Sequence, residues 1–243
     1  MPSQQPAKPG HSRGKARLID AALSLASKSG SFNGLSVREI GREAGLNPNT
    51  FYRHFASLEE LGLVVIDHVL EGRRQPLRDI RREAAEAAAA QLSPPVTPAE
   101  YWEFCLRKAK LVARATIKSY FEFVTANPEP FLIGVREMRS LSPKLRQTVQ
   151  DANDAIAGDL ADDIRIFQLL PMLSDDALRE MALIIVRQLF VLSADYIGIP
   201  EKRDEMQKAA HDLIIHLIAG AIALEVSHKE TMLTLTEIMR SRD

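Results

Sequence analysis

The chain has little that would cross-link it, anchor it in a membrane or build a sheet. Only one of its 243 residues, Cys105, is a cysteine, so no disulfide can form within the chain. This usage fits the reducing cytoplasm. No apolar run reaches the roughly 18 residues that a membrane span needs, and no segment alternates clearly as strands do. We therefore predict a cytoplasmic, all-α protein without a membrane segment, in which Cys105 is a buried, inert thiol.

Signatures of catalysis are also absent. The sequence contains no Gly-x-Ser-x-Gly, no Gly-x-x-x-x-Gly-Lys and no His-Glu-x-x-His motif, which are typical of several hydrolase, nucleotide-binding and zinc enzymes. His211 and His216 are five residues apart, so they do not share a helical face. Asp162 and Asp163 are expected to point in different directions into solvent. We predict no enzymatic activity, no cofactor and no metal site.

One stretch, residues 36–55, has the pattern of two short helices joined by a tight turn. Ser36 and Glu39 have the spacing of a capping box, and Asn47 followed by Pro48 is typical of a second helix start. Gly45 lies between them, where a positive φ is expected. From Asn47 to His54 the second helix would span roughly 12 Å, which suits a major groove about 12 Å wide. The pattern predicts a helix-turn-helix that binds DNA.

The distribution of charge supports the same prediction. The whole chain has a net charge of −1, but residues 11–56 hold seven basic and three acidic residues, a net charge of +4. A basic end on an acidic body is consistent with DNA contact at one end only.

The rest of the sequence reads as helices separated by Pro, Gly and Ser/Thr cap signals. Ser57, Thr97 and Ser174 are predicted caps, and one helix is expected from Ser57 to about Ala90, with a kink at Pro76 and an arginine-rich charged face. We predict about nine helices in three parts: a disordered arm (1–12), a helix-turn-helix domain (13–60) and a helical bundle for ligand binding and dimerisation (61–243).

Residues 181–197 are apolar on almost every side of the predicted helix. Such a helix is buried on every side, so it is either the centre of the core or shared with a second subunit. We favour the dimer, because symmetric dimers bind two half-sites of a pseudo-palindromic operator.

The first 60 residues resemble the TetR family of bacterial transcriptional regulators. The resemblance rests on Ser36-Val37-Arg38-Glu39-Ile40-Gly41-Arg42-Glu43-Ala44-Gly45-Leu46 and on Phe51-Tyr52-Arg53-His54-Phe55. It implies a ligand-responsive regulator, most often a repressor, that binds double-stranded DNA as a homodimer. Leu58 departs from the pattern, because many relatives have a phosphate-contacting Lys there.

A finer resemblance is to the FabR and DesT repressors of unsaturated fatty acid synthesis. It rests on Glu60-Leu61-Gly62 and on Phe123, Asn127-Pro128, Phe131 and Arg136-Glu137. That group senses long-chain acyl-CoA or acyl-carrier thioesters, which implies a lipophilic effector of this kind.

The candidate DNA contacts divide into residues that position the protein and residues that read bases. Tyr52 and His54 resemble the family's phosphate ligands, while Asn49 and Thr50 lie where they can contact bases, and Asn47 is either a cap or a base contact. Phe51 and Phe55 are expected to be core residues. The full set of predicted DNA contacts is Arg13, Lys15, Arg17, Arg38, Asn47, Asn49, Thr50, Tyr52, Arg53 and His54.

Candidate ligand contacts are the aromatic residues of the bundle, which could line an apolar tunnel, and two arginines for an anionic head group. Arg187 interrupts an apolar helix, so it needs a partner: Asp195, Glu225, a second subunit or the ligand. The set is Trp102, Tyr120, Phe123, Phe131, Arg136, Phe167, Arg187 and Phe190.

Two alternatives stay open from the sequence. A regulator of the same kind could respond to another lipophilic molecule or drug, and a helical scaffold could keep the helix-turn-helix for packing alone.

Overall fold

The computed structural model describes residues 9–29 and 32–240, and within these ranges it is helical without any strand. The predicted all-α class is therefore confirmed. The described α-helices are α1 (Pro9–Ser29), α2 (Val37–Glu43), α3 (Pro48–Phe51), α4 (Leu58–Glu71), α5 (Arg74–Gln91), α6 (Pro98–Ala126), α7 (Pro128–Glu137), α8 (Pro143–Ile166), α9 (Asp175–Gly198) and α10 (Arg203–Arg240).

The chain divides into two compact units. Unit 1 comprises Met1–Arg73 and Asn127–Ala152, and unit 2 comprises Arg74–Ala126 and Asn153–Asp243. Unit 1 therefore extends past residue 60, where the sequence placed a domain boundary. The reason is packing: α4 buries Leu61, Val65 and Ile66 within unit 1, and α7 packs against both α1 and α4.

The helix starts lie where the cap residues predict them. Ser36 Oγ accepts the Glu39 N–H at 3.2 Å, Ser57 Oγ accepts the Glu60 N–H at 3.1 Å, and Thr97 Oγ1 accepts the Glu100 N–H at 3.3 Å. Each bond satisfies one backbone donor that the helix itself leaves without a partner.

The arm and the fourth helix differ from the prediction. Helix α1 begins at Pro9, so residues 9–12 of the predicted arm are helical, while residues 1–8 lie outside the described part of the chain. The single helix expected from Ser57 to about Ala90 is two helices, α4 and α5. Pro76 has no N–H to donate to the Gly72 carbonyl oxygen, so a continuous helix would lack this bond. Helix α4 ends at Glu71, and Pro76 falls in the first turn of α5, where proline is tolerated.

The arginines of α5 are not only a charged surface, which corrects the prediction. In unit 2, Arg74, Arg78 and Arg81 form ion pairs with Asp159 and Asp163 of α8, at N–O distances of 2.7 to 3.0 Å. Arg81, Asp159 and Asp163 are buried. The expectation that Asp163 faces solvent is therefore wrong, because Asp163 lies one turn from Asp159 and faces α5.

Burial has opposite consequences for the charged groups of this network. Burial lowers the pKa of the Arg81 guanidinium, and the nearby Asp163 carboxylate opposes that effect. Burial also raises the pKa of Asp159, but the hydrogen bonds and charge of Arg74, with the charges of Arg78 and Arg81, outweigh it and leave that pKa lowered.

Helices α9 and α10 each have an apolar side that unit 2 leaves exposed. Ile184 is 50% exposed and Val191 38% on α9, and Leu224 is 74% exposed on α10. In the described part of the chain, Asp175–Gly198 and Pro200–Ser227 are long and apolar enough to cross a membrane, with mean hydropathies of 1.5 and 1.6. These two helices qualify the sequence prediction that no apolar segment is long enough to span a membrane. A core helix of a soluble protein meets the same criterion, so the finding assigns no membrane location.

Candidate nucleic-acid interface and ligand region

Helices α2 and α3 form the predicted helix-turn-helix around a glycine turn. Gly45 has φ +60°, in the left-handed region that glycine adopts readily. A Cβ on Gly41 would lie 3.3 Å from both the Leu46 carbonyl oxygen and Pro48 Cα, so the two backbones approach closely at this point. Asn47 Oδ1 accepts the Asn49 N–H at 2.9 Å, which confirms that Asn47 caps α3.

The second helix is shorter than expected. Regular α-helix covers only Pro48–Phe51, and a turn held by Arg53 N–H to Thr50 O and His54 N–H to Phe51 O continues it. Phe51 and Phe55 are buried, which confirms them as core residues and fixes the outward direction of the residues between them.

The side chains predicted to contact DNA are accessible. Tyr52 is 65% exposed, although it lies next to the fully buried Phe51. Thr50 and His54 are half-buried. The exposed members of the set are Arg13, Lys15, Arg17, Arg38, Asn47, Asn49, Tyr52 and Arg53.

The start of α1 lies against this motif and brings its basic residues beside it. Arg17 Nη2 donates to the Gly45 carbonyl oxygen at 3.4 Å, and the Lys15 ammonium lies 5.5 Å from the centre of the Phe55 ring. A Cβ on Gly14 would lie 2.8 Å from His54 Nε2, so glycine leaves room for the imidazole. Arg17 thus also contacts the turn.

Acidic side chains within the motif are engaged in local bonds. The Ser36 hydroxyl and backbone N–H donate to Glu39 and lower its pKa. The Ser24 hydroxyl, and then Lys28, lower the pKa of Glu43 in the same way. Both carboxylates are therefore ionised at neutral pH. Glu43 is bonded to Ser24 and Lys28 of α1, and Glu39 is bonded to Ser36 at the start of α2.

The predicted ligand residues are divided between the two units. Phe131 and Arg136 belong to α7 in unit 1, where Phe131 is fully buried with the Arg73 guanidinium 5.3 Å from its ring centre, and Arg136 is exposed. The other six belong to unit 2. Trp102 is 47% exposed, and Phe190 is buried.

Three residues of this set have definite partners in unit 2. The Tyr120 hydroxyl lies 2.7 Å from Ser193 Oγ, and the Phe167 carbonyl oxygen accepts a bond from Lys108 Nζ at 2.9 Å. Phe123 is half-buried. Arg187 Nη2 donates to Asp154 Oδ1 at 2.9 Å, so the predicted partners Asp195 and Glu225 are wrong.

The partner of Arg187 differs from the prediction because Arg187 lies on the side of α9 that faces α8. Arg187 lies on the side towards Asp154, and Glu225 instead accepts the Ser174 hydroxyl at 3.1 Å near the start of α9. Cys105 is buried as expected.

Sequence reasoning missed a cleft of about 570 Å³ between α5, α6 and α10 of unit 2. Its lining includes Arg114, Lys118, Lys208 and His211, none of which was a candidate. The only local signals were an alanine-rich α5 and the i,i+4 pair Arg114 and Lys118. Neither signal shows that three helices meet there.

The fold and part of the sequence match known proteins. The chain is similar in structure to a tetR-family transcriptional regulator from Streptomyces coelicolor, with 16% identity over 95% of this chain and 89% of that one and a TM-score of 0.55. It is also similar to the regulator FadR from Bacillus subtilis in complex with stearoyl-CoA, with 16% identity over 84% and 98% of the two chains and a TM-score of 0.53. It is similar as well to the reduced form of E. coli NemR, with 14% identity over 84% of this chain and 96% of that one and a TM-score of 0.56.

At these identities the structural similarities show the fold. The sequence match is to the model for "Bacterial regulatory proteins, tetR family", and it covers residues 18–63, which include the whole helix-turn-helix described above. Over these residues the chain is similar to the tetR family of bacterial transcriptional regulators, and the match covers less than half of the chain.

Proposed function

We propose that the protein is a ligand-responsive repressor that binds a pseudo-palindromic DNA operator as a cytoplasmic homodimer. One observation carries the DNA-binding part: Tyr52, Arg53 and Asn49 project from α3 and its following turn, while Phe51 and Phe55 anchor the same segment in the core. A helix kept for packing alone would not need a polar and basic outer face beside the basic start of α1.

The electrostatics of the interface support backbone contact. Arg13, Lys15, Arg38 and Arg53 are exposed around the motif, and phosphate neutralisation by such residues supplies most non-specific affinity for DNA. Leu58 is half-buried at the start of α4, so this copy of the motif makes one fewer phosphate contact there than relatives with lysine.

The apolar sides of α9 and α10 support the homodimer. Ile184, Val191 and Leu224 are exposed in the single chain, and burying them against a second copy would remove apolar surface from water at about 25 cal/mol per Å². A symmetric dimer also supplies the two recognition helices that a pseudo-palindromic operator requires.

For the effector, a long-chain acyl-CoA or a similar lipophilic molecule fits best within the family. Two points support it: the FabR- and DesT-like elements around Phe123, Asn127 and Phe131, and the likeness in fold to a FadR that was solved with stearoyl-CoA. Control of fatty acid or lipid metabolism is the corresponding role. Another lipophilic inducer or a drug is the alternative.

The DNA-binding part is tested by a mobility-shift assay with random genomic fragments at low salt. We expect selective retention of a few fragments by the wild type, and weaker retention by Arg53→Ala. Arg82→Ala is the matched control, because Arg82 is an exposed arginine on α5, outside the motif. Absence of any bound fragment would favour the scaffold alternative.

The dimer is tested by sedimentation velocity. We expect the wild type to sediment as a dimer and Ile184→Glu as a monomer. Ile166→Glu is the control, since Ile166 is 64% exposed at the end of α8 but not on the proposed contact. A dimer that survives Ile184→Glu would place the interface elsewhere.

A further inference from the structure

The cleft between α5, α6 and α10 has an apolar floor. Ala84 and Ala88 of α5 and Ile117 of α6 line it and are buried, and Leu111 and Ala115 are half-buried beside them. The volume of about 570 Å³ falls within the range typical of small-molecule sites. The cleft exists because alanine side chains are too short to fill the space that α6 and α10 leave over α5.

The rim of the same cleft is basic. Arg114 and Lys118 are exposed on α6, and Lys208 and His211 lie on the facing turns of α10, exposed and half-buried. Asp204 is the one acidic residue in the lining. Lys118 lies 4.0 Å from the Glu122 carboxylate, but both side chains are largely exposed and such a pair is weak.

An apolar floor under a cationic rim is complementary to one kind of small molecule. The floor cannot satisfy polar groups, so it favours an aliphatic or aromatic body, whereas the lysine and arginine groups attract an anion and remain solvated without one. The shared chemistry is that of an amphipathic organic anion.

We propose that this cleft is a binding site for small amphipathic organic anions, with the apolar body on the alanine floor and the anionic group between the α6 and α10 cations. That such a ligand acts as an effector rests on the proposed regulatory function; its binding does not.

Binding is tested by isothermal titration calorimetry of the full chain with dodecanoate, below its critical micelle concentration, and with dodecan-1-ol. We expect dodecanoate to bind more tightly than the alcohol. We also expect the difference to shrink with added salt, because exposed charges are screened. Failure of the wild type to bind dodecanoate would overturn the proposal.

Two variants on α5 test the location. Ala87 is exposed and lines the cleft, so Ala87→Trp fills it without disturbing the core. Ala89 is also exposed but lies on another side of α5 and does not line the cleft, so Ala89→Trp is the matched control. We expect at least about tenfold weaker dodecanoate binding for Ala87→Trp only. Equal effects in both variants would refute the assignment.

The rim is tested separately by charge reversal. Lys208→Glu should weaken dodecanoate binding about tenfold and leave dodecan-1-ol binding unchanged, because an exposed attraction becomes a repulsion. Lys110→Glu, on an exposed part of α6 outside the cleft, should change neither. Loss of alcohol binding in Lys208→Glu would contradict the assigned role of the rim.

These results remain distinct from the test of DNA binding. A chain that binds dodecanoate in the cleft but retains no genomic fragment would refute the regulator and leave the site intact. A chain that binds DNA but whose dodecanoate binding is the same in Ala87→Trp and Ala89→Trp would refute the site and leave the regulator intact.

Discussion

Replacing Asp163 by Asn removes one charge from the buried ion-pair network of unit 2 and keeps the size of the side chain. Asp163 is 4% exposed; its Oδ2 accepts Arg81 Nε at 2.7 Å and its Oδ1 accepts Arg78 Nη2 at 3.0 Å. Because Asn has nearly the same volume, no cavity forms, and the change in stability reports the charge and its bonds.

The size of the effect follows from the burial of Arg81. Arg81 is 7% exposed, and burial already lowers the pKa of its guanidinium. Removing one partner of a buried ion pair leaves an uncompensated charge and typically costs about 3 to 5 kcal/mol. The Asp159 carboxylate still acts electrostatically on Arg81, so we expect a loss at the lower end, about 3 kcal/mol.

Asp162→Asn is the matched control on the same helix. The Asp162 side chain is 55% exposed and pairs with Arg165 at 3.0 Å, so its loss should cost less than about 1 kcal/mol. The free energy of unfolding is measured by urea denaturation at neutral pH, at equal protein concentrations because a dimer's stability depends on concentration.

The reasoning is refuted if Asp163→Asn and Asp162→Asn differ by less than about 1 kcal/mol. A double variant, Arg81→Met with Asp163→Leu, removes both charges and tests whether the loss in Asp163→Asn comes from the unpaired charge of Arg81. Replacing a buried ion pair by apolar residues of similar volume is often neutral, so this variant should be more stable than Asp163→Asn alone.

Three further predictions concern the motif and the acid stability. Tyr52→Phe removes only a hydroxyl, so it should weaken binding to operator and random DNA alike, by about 1 kcal/mol, with the salt dependence of binding unchanged in mobility-shift titrations. Gly45→Ala should lower the free energy of unfolding, measured by urea denaturation, by about 1 to 2 kcal/mol, because Gly45 has φ +60°. Gly34→Ala, with no atom within 4 Å of a new Cβ, should change that free energy little. Asp159 has a lowered pKa in the folded chain, so its stabilisation is present above its ordinary pKa of 3.8 and is lost as pH falls below it. Urea titrations between about pH 5 and pH 2 should therefore show a shallower loss in Asp159→Asn than in the wild type.

Local signals in the sequence predicted the starts of helices correctly. Ser36, Asn47, Ser57, Thr97 and Ser174 all cap helices in the structure through bonds to nearby N–H groups. These bonds join residues two or three positions apart, so the sequence contains both partners. The DNA contacts assigned to Arg38, Tyr52 and their neighbours stay predictions, although the structure makes these residues accessible.

Long-range partners could not be read in the same way. Arg187 pairs with Asp154 of α8, 33 residues away, whereas Glu225 of α10 accepts a bond from the Ser174 hydroxyl. The ligand candidates were chosen by residue type, and aromatic residues of a helical bundle are mostly core, as Tyr120 and Phe190 are.

By itself, the sequence determined the helical class, the cap positions and the helix-turn-helix with its glycine turn, because each depends on groups within about one turn of the chain. Only the tertiary structure decided that Asp163 is buried against Arg81 while Asp162 is exposed, and that Arg114 and Lys208 border one cleft. Those outcomes depend on which sides of distant helices face each other, and that is fixed by packing of the whole unit.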